Sequence, residues 1–168
     1  IADLEDSSRD AAPGAAGELM VRGTMVTKGY WRNEAATKET INAQGWLATG
    51  DIARADKDGF IFIVDRKKDM IITAGYNVYP AELEQVIAMH PSVAMVAVAG
   101  TAEKGEIAQA FVVPHQNAVL SEEDLIAHCR KHLASYKIPR KVIFVEDLPK
   151  NSTGKILRRS LREAQASV

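Results

Sequence analysis

The chain predicts an α+β protein: a β-rich piece followed by a small domain of about a three-stranded sheet, three helices and a short hairpin. Three observations predict it. Short apolar runs closed by glycine occupy residues 17–65. From Pro80 onward, helix-spaced apolar faces alternate with continuous apolar runs. Between the two regions lies Asp65-Arg66-Lys67-Lys68-Asp69, five consecutive charges. Such a run between apolar segments is expected to be an exposed connector and a domain boundary. The expected domains are 1–67 and 68–168.

The elements follow in order. Glu18 to Arg22 reads as a short strand closed by Gly23. Asn33 to Ile41 reads as a helix, with Asn33 as its cap and Glu34 in the first turn. Gly45 and Gly50 punctuate the return, and Phe60 to Val64 has the continuous apolar character of a buried strand. Met70 to Thr73 and Asn77 to Tyr79 flank Ala74-Gly75-Tyr76, which predicts a small hairpin. Pro80 suits the first turn of a helix. Leu83, Val86 and Ile87 give that helix its apolar face, and Pro91 stops it. Val93 to Val98 and Ile107 to Val113 are apolar strands. Ser121 and Asp124 form a capping-box pattern for a helix turning Leu125, Ile126, Cys129 and Leu133 inward. Val142 to Val145 is the third strand. Leu157, Leu161 and Ala164 give the last helix an apolar side, with Arg158, Arg159 and Arg162 expected mostly outward.

Composition narrows the function classes. The chain has 168 residues and is 46% hydrophobic, which suits a packed core rather than a disordered tail. No apolar run is long enough to cross a membrane as a helix. A net charge of -1 argues against non-specific nucleic-acid binding. Ten Lys and Arg stand against six Asp and Glu from Leu120 onward, a mild basic bias compatible with a phosphorylated ligand. The single cysteine, Cys129, has no partner for a disulfide and falls on an apolar helix side, so a buried structural thiol is expected. The first residue is Ile1 and the opening is acidic, without a signal-peptide pattern. It reads as part of a longer protein.

One turn carries chemistry. In Leu148-Pro149-Lys150-Asn151-Ser152-Thr153-Gly154-Lys155, a lysine follows a compact Ser-Thr-Gly turn. A mobile cation there suits a reaction that gathers negative charge on phosphate or carboxylate oxygens. It is not a P-loop, because Ile156 stands where that motif needs Ser or Thr. His128 and His132 are spaced as on zinc-binding helices, but Arg130 and Lys131 lie between them and no third ligand is near in sequence. No metal site is expected from them.

Four segments stand in order: Gly17 to Gly23 with Gly29-Tyr30-Trp31; Gly45-Trp46-Leu47-Ala48-Thr49-Gly50-Asp51; Asp65 through Ile71, Gly75-Tyr76-Asn77-Val78-Tyr79-Pro80 and Glu82-Leu83-Glu84; and Pro149 through Gly154-Lys155. Together they resemble the adenylate-forming superfamily, which includes acyl-CoA synthetases, adenylation domains of peptide synthetases and luciferases. The third and fourth segments look most like bacterial long-chain fatty-acid–CoA ligases. The resemblance covers nearly everything after Gly17.

The resemblance implies roles residue by residue. Asp51 matches the carboxylate that accepts hydrogen bonds from the ATP ribose hydroxyls, and Arg66 an arginine on the ribose or phosphate side. Lys68 matches the hinge position. Gly75 and Tyr76 match the loop that lines the passage for the pantetheine arm of CoA. Lys155 matches the catalytic lysine that bridges the carboxylate and the α-phosphate. Glu82 and Glu84 begin a helix, where acidic residues are favourable, and are read as structural. Residues 1–67 would then be the end of the large adenylating domain and 68–168 a mobile C-terminal lid.

The implied function is an ATP-dependent ligase that adenylates a long-chain fatty acid and passes the acyl group to CoA, releasing AMP and pyrophosphate. ATP and CoA are the implied nucleotide partners. Magnesium is implied too, with ligands outside this chain. The setting expected is cytoplasmic, compatible with a membrane-peripheral enzyme. Two other readings stay open: an adenylation domain loading a carrier-protein phosphopantetheine, and a non-catalytic interaction module. There are departures from the family pattern. Ala48 stands where many relatives carry a basic residue, and the stretch Ala102 to Gly105 is short. The family's phosphate-binding loop and its adenine- and magnesium-contacting motif are placed upstream of Ile1, so this chain by itself is expected to be inactive.

Overall fold

The computed structural model describes residues 1–101 and 107–165, with side chains as far as Arg162. The loop departure at Ala102 to Gly105 and the inward face of Ala164 lie outside what is described. The chain divides into two units, Ile1–Lys68 and Asp69–Val168.

In the first unit, strands β1 (Gly17–Val21), β2 (Leu47–Ala55) and β3 (Ile61–Arg66) form an antiparallel sheet with β2 in the middle. Its fully buried residues are Ile52 and Ala53 of β2. Between β1 and β2 lies helix α1 (Glu34–Thr40). Asn33 starts it, because its Oδ1 accepts the Ala36 N–H at 3.0 Å and satisfies a donor the first turn leaves open.

Two sequence expectations change here. The apolar run before Asp65 is not buried: Phe60, Ile61, Phe62 and Ile63 are 68%, 54%, 46% and 59% exposed. The reason is that β3 is an edge strand and a run apolar on both faces needs a layer on both faces. The Arg54 guanidinium lies 5.5 Å from the Phe62 ring centroid. The charged run, in turn, is not uniformly exposed. Asp65 is buried, and its Oδ1 accepts the Arg66 N–H at 2.8 Å. Strand alternation turns Asp65 inward and Arg66 outward.

In the second unit, β4 (Ile71–Thr73) and β5 (Tyr76–Val78) form the hairpin. Helix α2 (Pro80–Ala88) begins on Pro80, whose missing N–H costs nothing in a first turn. Strands β6 (Val93–Thr101), β7 (Ile107–Pro114) and β8 (Lys141–Phe144) make a sheet in the order β6-β7-β8. The β6–β7 pair is antiparallel and the β7–β8 pair parallel. A parallel pair needs a crossover, which contains α3 (Glu122–His132). Its capping box is complete: Ser121 Oγ accepts the Asp124 N–H at 3.1 Å, and Asp124 Oδ2 accepts the Ser121 N–H at 3.3 Å. Bonds from the Ser121 hydroxyl and backbone hold the Asp124 carboxyl below the usual range. Helix α4 (Arg158–Gln165) follows the Lys155 turn.

Strand alternation sorts the core into two layers. Val98, Ala110, Val112 and Val142 face Ile71, Val78, Leu83, Ile87, Leu125 and Cys129. Ala97, Ala99 and Phe111 face the other way, against Leu148 and Leu161. Cys129 is fully buried, and burial pushes its thiol up to about 11.

The arginines of α4 are not all turned outward. Arg158 donates to both carboxylate oxygens of Glu84, with Nη2 at 2.6 and 2.8 Å, and Arg162 Nη2 donates to Asp69 Oδ1 at 3.0 Å. Of the expected apolar side, Leu161 is buried, whereas Leu157 precedes the helix, in the turn that closes onto Pro149, and is 39% exposed. The carboxylates that the arginines meet, 74 and 93 residues away, have no signal in the local spacing. Glu84 Oε1 also accepts the Val98 N–H at 2.8 Å, which covers a donor of the edge strand β6. That supports the structural reading of Glu84. Glu82 is likewise paired, with Lys137.

Leu83 is fully enclosed between α2 and the sheet. Leu83→Ala is expected to lower unfolding stability by about 2–5 kcal/mol in urea titrations. A loss near zero would show that this layer is not packed as described.

Candidate functional site

The β2–β3 register places Asp51 opposite Arg66. Arg66 Nη1 donates to Asp51 Oδ1 at 2.7 Å. The approach to Asp51 is fixed on both sides. Thr49 Oγ1 donates to the Leu19 carbonyl at 2.8 Å and accepts the Asp51 N–H at 3.1 Å. Gly50 has φ +72°, a conformation that side-chain-bearing residues disfavour. Asp51 Oδ2 has no hydrogen-bond partner among the described residues. The pair therefore presents an open carboxylate acceptor beside a guanidinium donor. Being partly exposed, it adds little to stability.

After Arg66 comes one 3-10 turn, Lys67–Asp69. Lys67 Nζ donates at 2.6 Å to Glu18 Oε2, and the Glu18 side chain is nearly buried. Lys68 is exposed and is the last residue of the first unit. Asp69 opens the second unit and belongs to the carboxylate–arginine network with Arg158 and Arg162.

The hairpin turn is Ala74-Gly75, with φ +50° and +82°. Two successive positive φ values match the mirror-image turn that suits the twist of a two-residue hairpin. A Cβ at Gly75 would meet nothing within 4 Å, so the glycine answers a conformational demand rather than a crowded approach. Tyr76 is 56% exposed, and its ring stacks on Tyr136 at 4.6 Å.

The Lys155 turn is built around Asn151. Its Oδ1 accepts the Thr153 N–H at 3.0 Å, the Thr153 hydroxyl at 2.8 Å and the Lys155 N–H at 2.8 Å. The Asn151 N–H donates to the Lys155 carbonyl at 2.9 Å, and Gly154 takes φ +80°. Buried Leu148 anchors the entry, and the Leu157 N–H closes onto Pro149 O at 2.8 Å. Near the entry, the bonds from Lys150 and the Leu148 N–H hold the Asp147 carboxyl below its usual range. The Lys155 side chain is exposed, and its ammonium has no partner among the described residues. The backbone of this turn is thus internally satisfied while the charge is left available.

His128 and His132 rings lie 4.9 Å apart, and His90 lies 5.3 Å from His128, a third histidine not apparent from sequence spacing. His128 Nε2 is 2.9 Å from the Val86 carbonyl and His90 Nδ1 accepts the Ser92 N–H at 3.2 Å, so two of the three rings join backbone elements. Among the described residues, no group of three or more His, Cys, Asp and Glu is placed to hold a metal ion.

The structure therefore joins Asp51 to Arg66, while Gly75-Tyr76 and Lys155 occupy separate turns of the second unit. Sequence reading missed Asn151 and Tyr136. Asn151 had a signal, since an Asn two residues before Thr153 suits an Asx turn. Tyr136 had none, because its contact spans 60 residues of chain.

Asn151→Ala removes three acceptor interactions from this turn. Amide hydrogen exchange at Thr153 and Lys155 is expected to rise about tenfold or more. Unchanged protection there would mean that Asn151 does not organise the turn.

Comparison with known proteins follows the same lines. Residues 82–155 match the family model for the AMP-binding enzyme C-terminal domain. The chain is 49% identical over 166 residues to the long-chain-fatty-acid–CoA ligase of Yersinia pestis, across 98% of this chain and 29% of that protein. It is 44% identical over 153 residues to the 2-succinylbenzoate–CoA ligase of Bacillus cereus (strain AH820), across 90% of this chain and 31% of the relative. It superposes on the crystal structure of ATP-bound MatB from Rhodopseudomonas palustris with TM-score 0.91 and 38% identity, across 98% of this chain and 33% of that one. The chain thus spans less than a third of the length of these curated relatives. With that likeness running through both units, the chain belongs to the adenylate-forming enzymes and carries their C-terminal domain.

Proposed function

We propose that this chain works within an ATP-dependent acyl-CoA ligase acting on a long-chain fatty acid. The observation that carries the reading is the Lys155 ammonium, exposed and unpaired among the described residues, on a turn whose backbone is held by Asn151. In the first half-reaction a carboxylate oxygen attacks the α-phosphorus of ATP. A mixed anhydride forms, and the bond to the leaving pyrophosphate breaks. Two anions must approach each other, and Lys155 supplies the positive charge between them. Asp51 accepts from the ribose hydroxyls through its free oxygen, while Arg66 steadies that carboxylate and faces the nucleotide. In the second half-reaction the CoA sulfur attacks the acyl carbon, the thiol proton is lost, and AMP leaves. Gly75 and Tyr76 line the passage for the pantetheine arm, and Lys68 is the hinge about which the second unit turns as a lid.

The long-chain substrate is supported by ligases of that name at 49–51% identity, against 44% for 2-succinylbenzoate–CoA ligase. ATP use is supported by the ATP-bound neighbour MatB. The described residues offer no magnesium cluster, and no step is assigned to the metal. Pyrophosphate release by the full-length protein across a carboxylate panel, with acyl-CoA measured as product, tests the reading. Long-chain fatty acids are expected to rank first. Release without acyl-CoA would overturn CoA as the acceptor.

Lys155→Ala is expected to slow acyl-adenylate formation by roughly 10²–10³-fold, with much less effect on thioester formation from supplied acyl-adenylate. Equal loss in both steps would sink the assignment of Lys155. Lys68→Pro fixes φ and removes an N–H at the hinge, so thioester formation should slow more than adenylation. Wild-type rates for both steps would refute the hinge.

A further inference from the structure

The Gly75 turn is weakly held by its own hairpin. Only three residue pairs join β4 to β5, and Ala74 sits at φ +50° without being glycine. A short two-stranded ladder is marginal by itself, and a left-handed alanine adds strain. Tyr136 reaches this turn from a separate element. Its ring lies over that of Tyr76 with centroids 4.6 Å apart and planes inclined by 25°. Tyr136 is itself well placed to act as a support. It lies in the 3-10 turn Ser135–Lys137. The next side chain, Lys137, donates to both carboxylate oxygens of Glu82 at 2.7 Å, which ties this turn to the start of α2. On the other side, Ile138 packs against the main core.

The geometry points to Tyr136 as a positioning residue for CoA: its ring holds Tyr76, and through Tyr76 the Ala74-Gly75 turn, in the shape the second half-reaction uses. This rests on the reading that Gly75 and Tyr76 line the CoA passage. Tyr136 touches no reacting atom. Removing its ring leaves the turn formed in a smaller fraction of molecules, and apparent affinity falls by that fraction. The Lys155 turn belongs to the opposite face of the sheet, so acyl-adenylate formation does not depend on the stack.

The test uses the full-length enzyme with Tyr136→Leu and Tyr136→Phe. Tyr136→Leu is expected to raise the KM for CoA about tenfold while leaving single-turnover acyl-adenylate formation within about twofold. Amide exchange at Gly75 and Tyr76 should quicken. Tyr136→Phe keeps the ring and should give wild-type values for the KM for CoA and for exchange. A wild-type KM for CoA with unchanged exchange in Tyr136→Leu would overturn the inference, as would equal impairment in Tyr136→Phe. Should Tyr136→Leu fail to fold, Tyr76→Leu removes the same stack from the hairpin side and is expected to raise the KM for CoA alike; a wild-type value there overturns the inference. If the wild-type protein makes no acyl-CoA, the functional reading fails, and the exchange comparison alone then decides whether Tyr136 holds the turn.

Discussion

The second unit depends on one constraint: β7 is the middle strand of its sheet and is covered on both faces. A strand in that position must be apolar on both sides, and Ile107 to Val113 nearly is. Gln109 is its polar exception and is buried as well. Everything else is placed by reference to this strand. The hairpin, α2 and α3 pack on one side, and Leu148 and α4 on the other. The two loops of interest inherit that division. The Gly75 turn belongs to the first layer, and the Lys155 turn leads into the second. In the proposed lid that turns about Lys68, such a separation would let each half-reaction use a different face of one body.

Charges join what the apolar layers keep apart. Arg158 of α4 binds Glu84 of α2, and Glu84 also takes the Val98 N–H of the edge strand. Asp69, the first residue of the unit, takes Arg162. The link is partly shielded from solvent, so breaking one partner leaves a poorly solvated charge behind. The first unit has a smaller version in Lys67 and Glu18. In both places a charged side chain that looks like surface in the sequence fixes an element near the boundary. By contrast, among the described residues Lys155 makes hydrogen bonds only through its backbone, and its ammonium has no partner there.

Local order was well represented in the sequence because its causes are local. Asn33 and the Ser121–Asp124 box start helices through hydrogen bonds spanning three residues. The Ala74-Gly75 turn lies between two short β-prone segments, and Leu83 and Ile87 share a helical face. The motifs containing Asp51, Arg66, Gly75 and Lys155 were likewise visible as short strings. Burial was less visible, because it depends on what covers a segment. Phe60 to Ile63 reads as a core strand and is exposed, and Asp65 reads as exposed and is buried.

The sequence by itself determined the α+β class, the order of the elements, the capping of α1 and α3, and the family resemblance. Each of these follows from spacing within a few residues or from the succession of motifs. Tertiary structure alone decided that Asp51 meets Arg66 across two strands and that Arg158 turns toward Glu84. It also decided that Tyr136 stacks on Tyr76. These contacts join residues 15, 74 and 60 positions apart. Periodicity and turn propensity act over a few residues, whereas such contacts exist only once strand register and layer packing have brought the segments together.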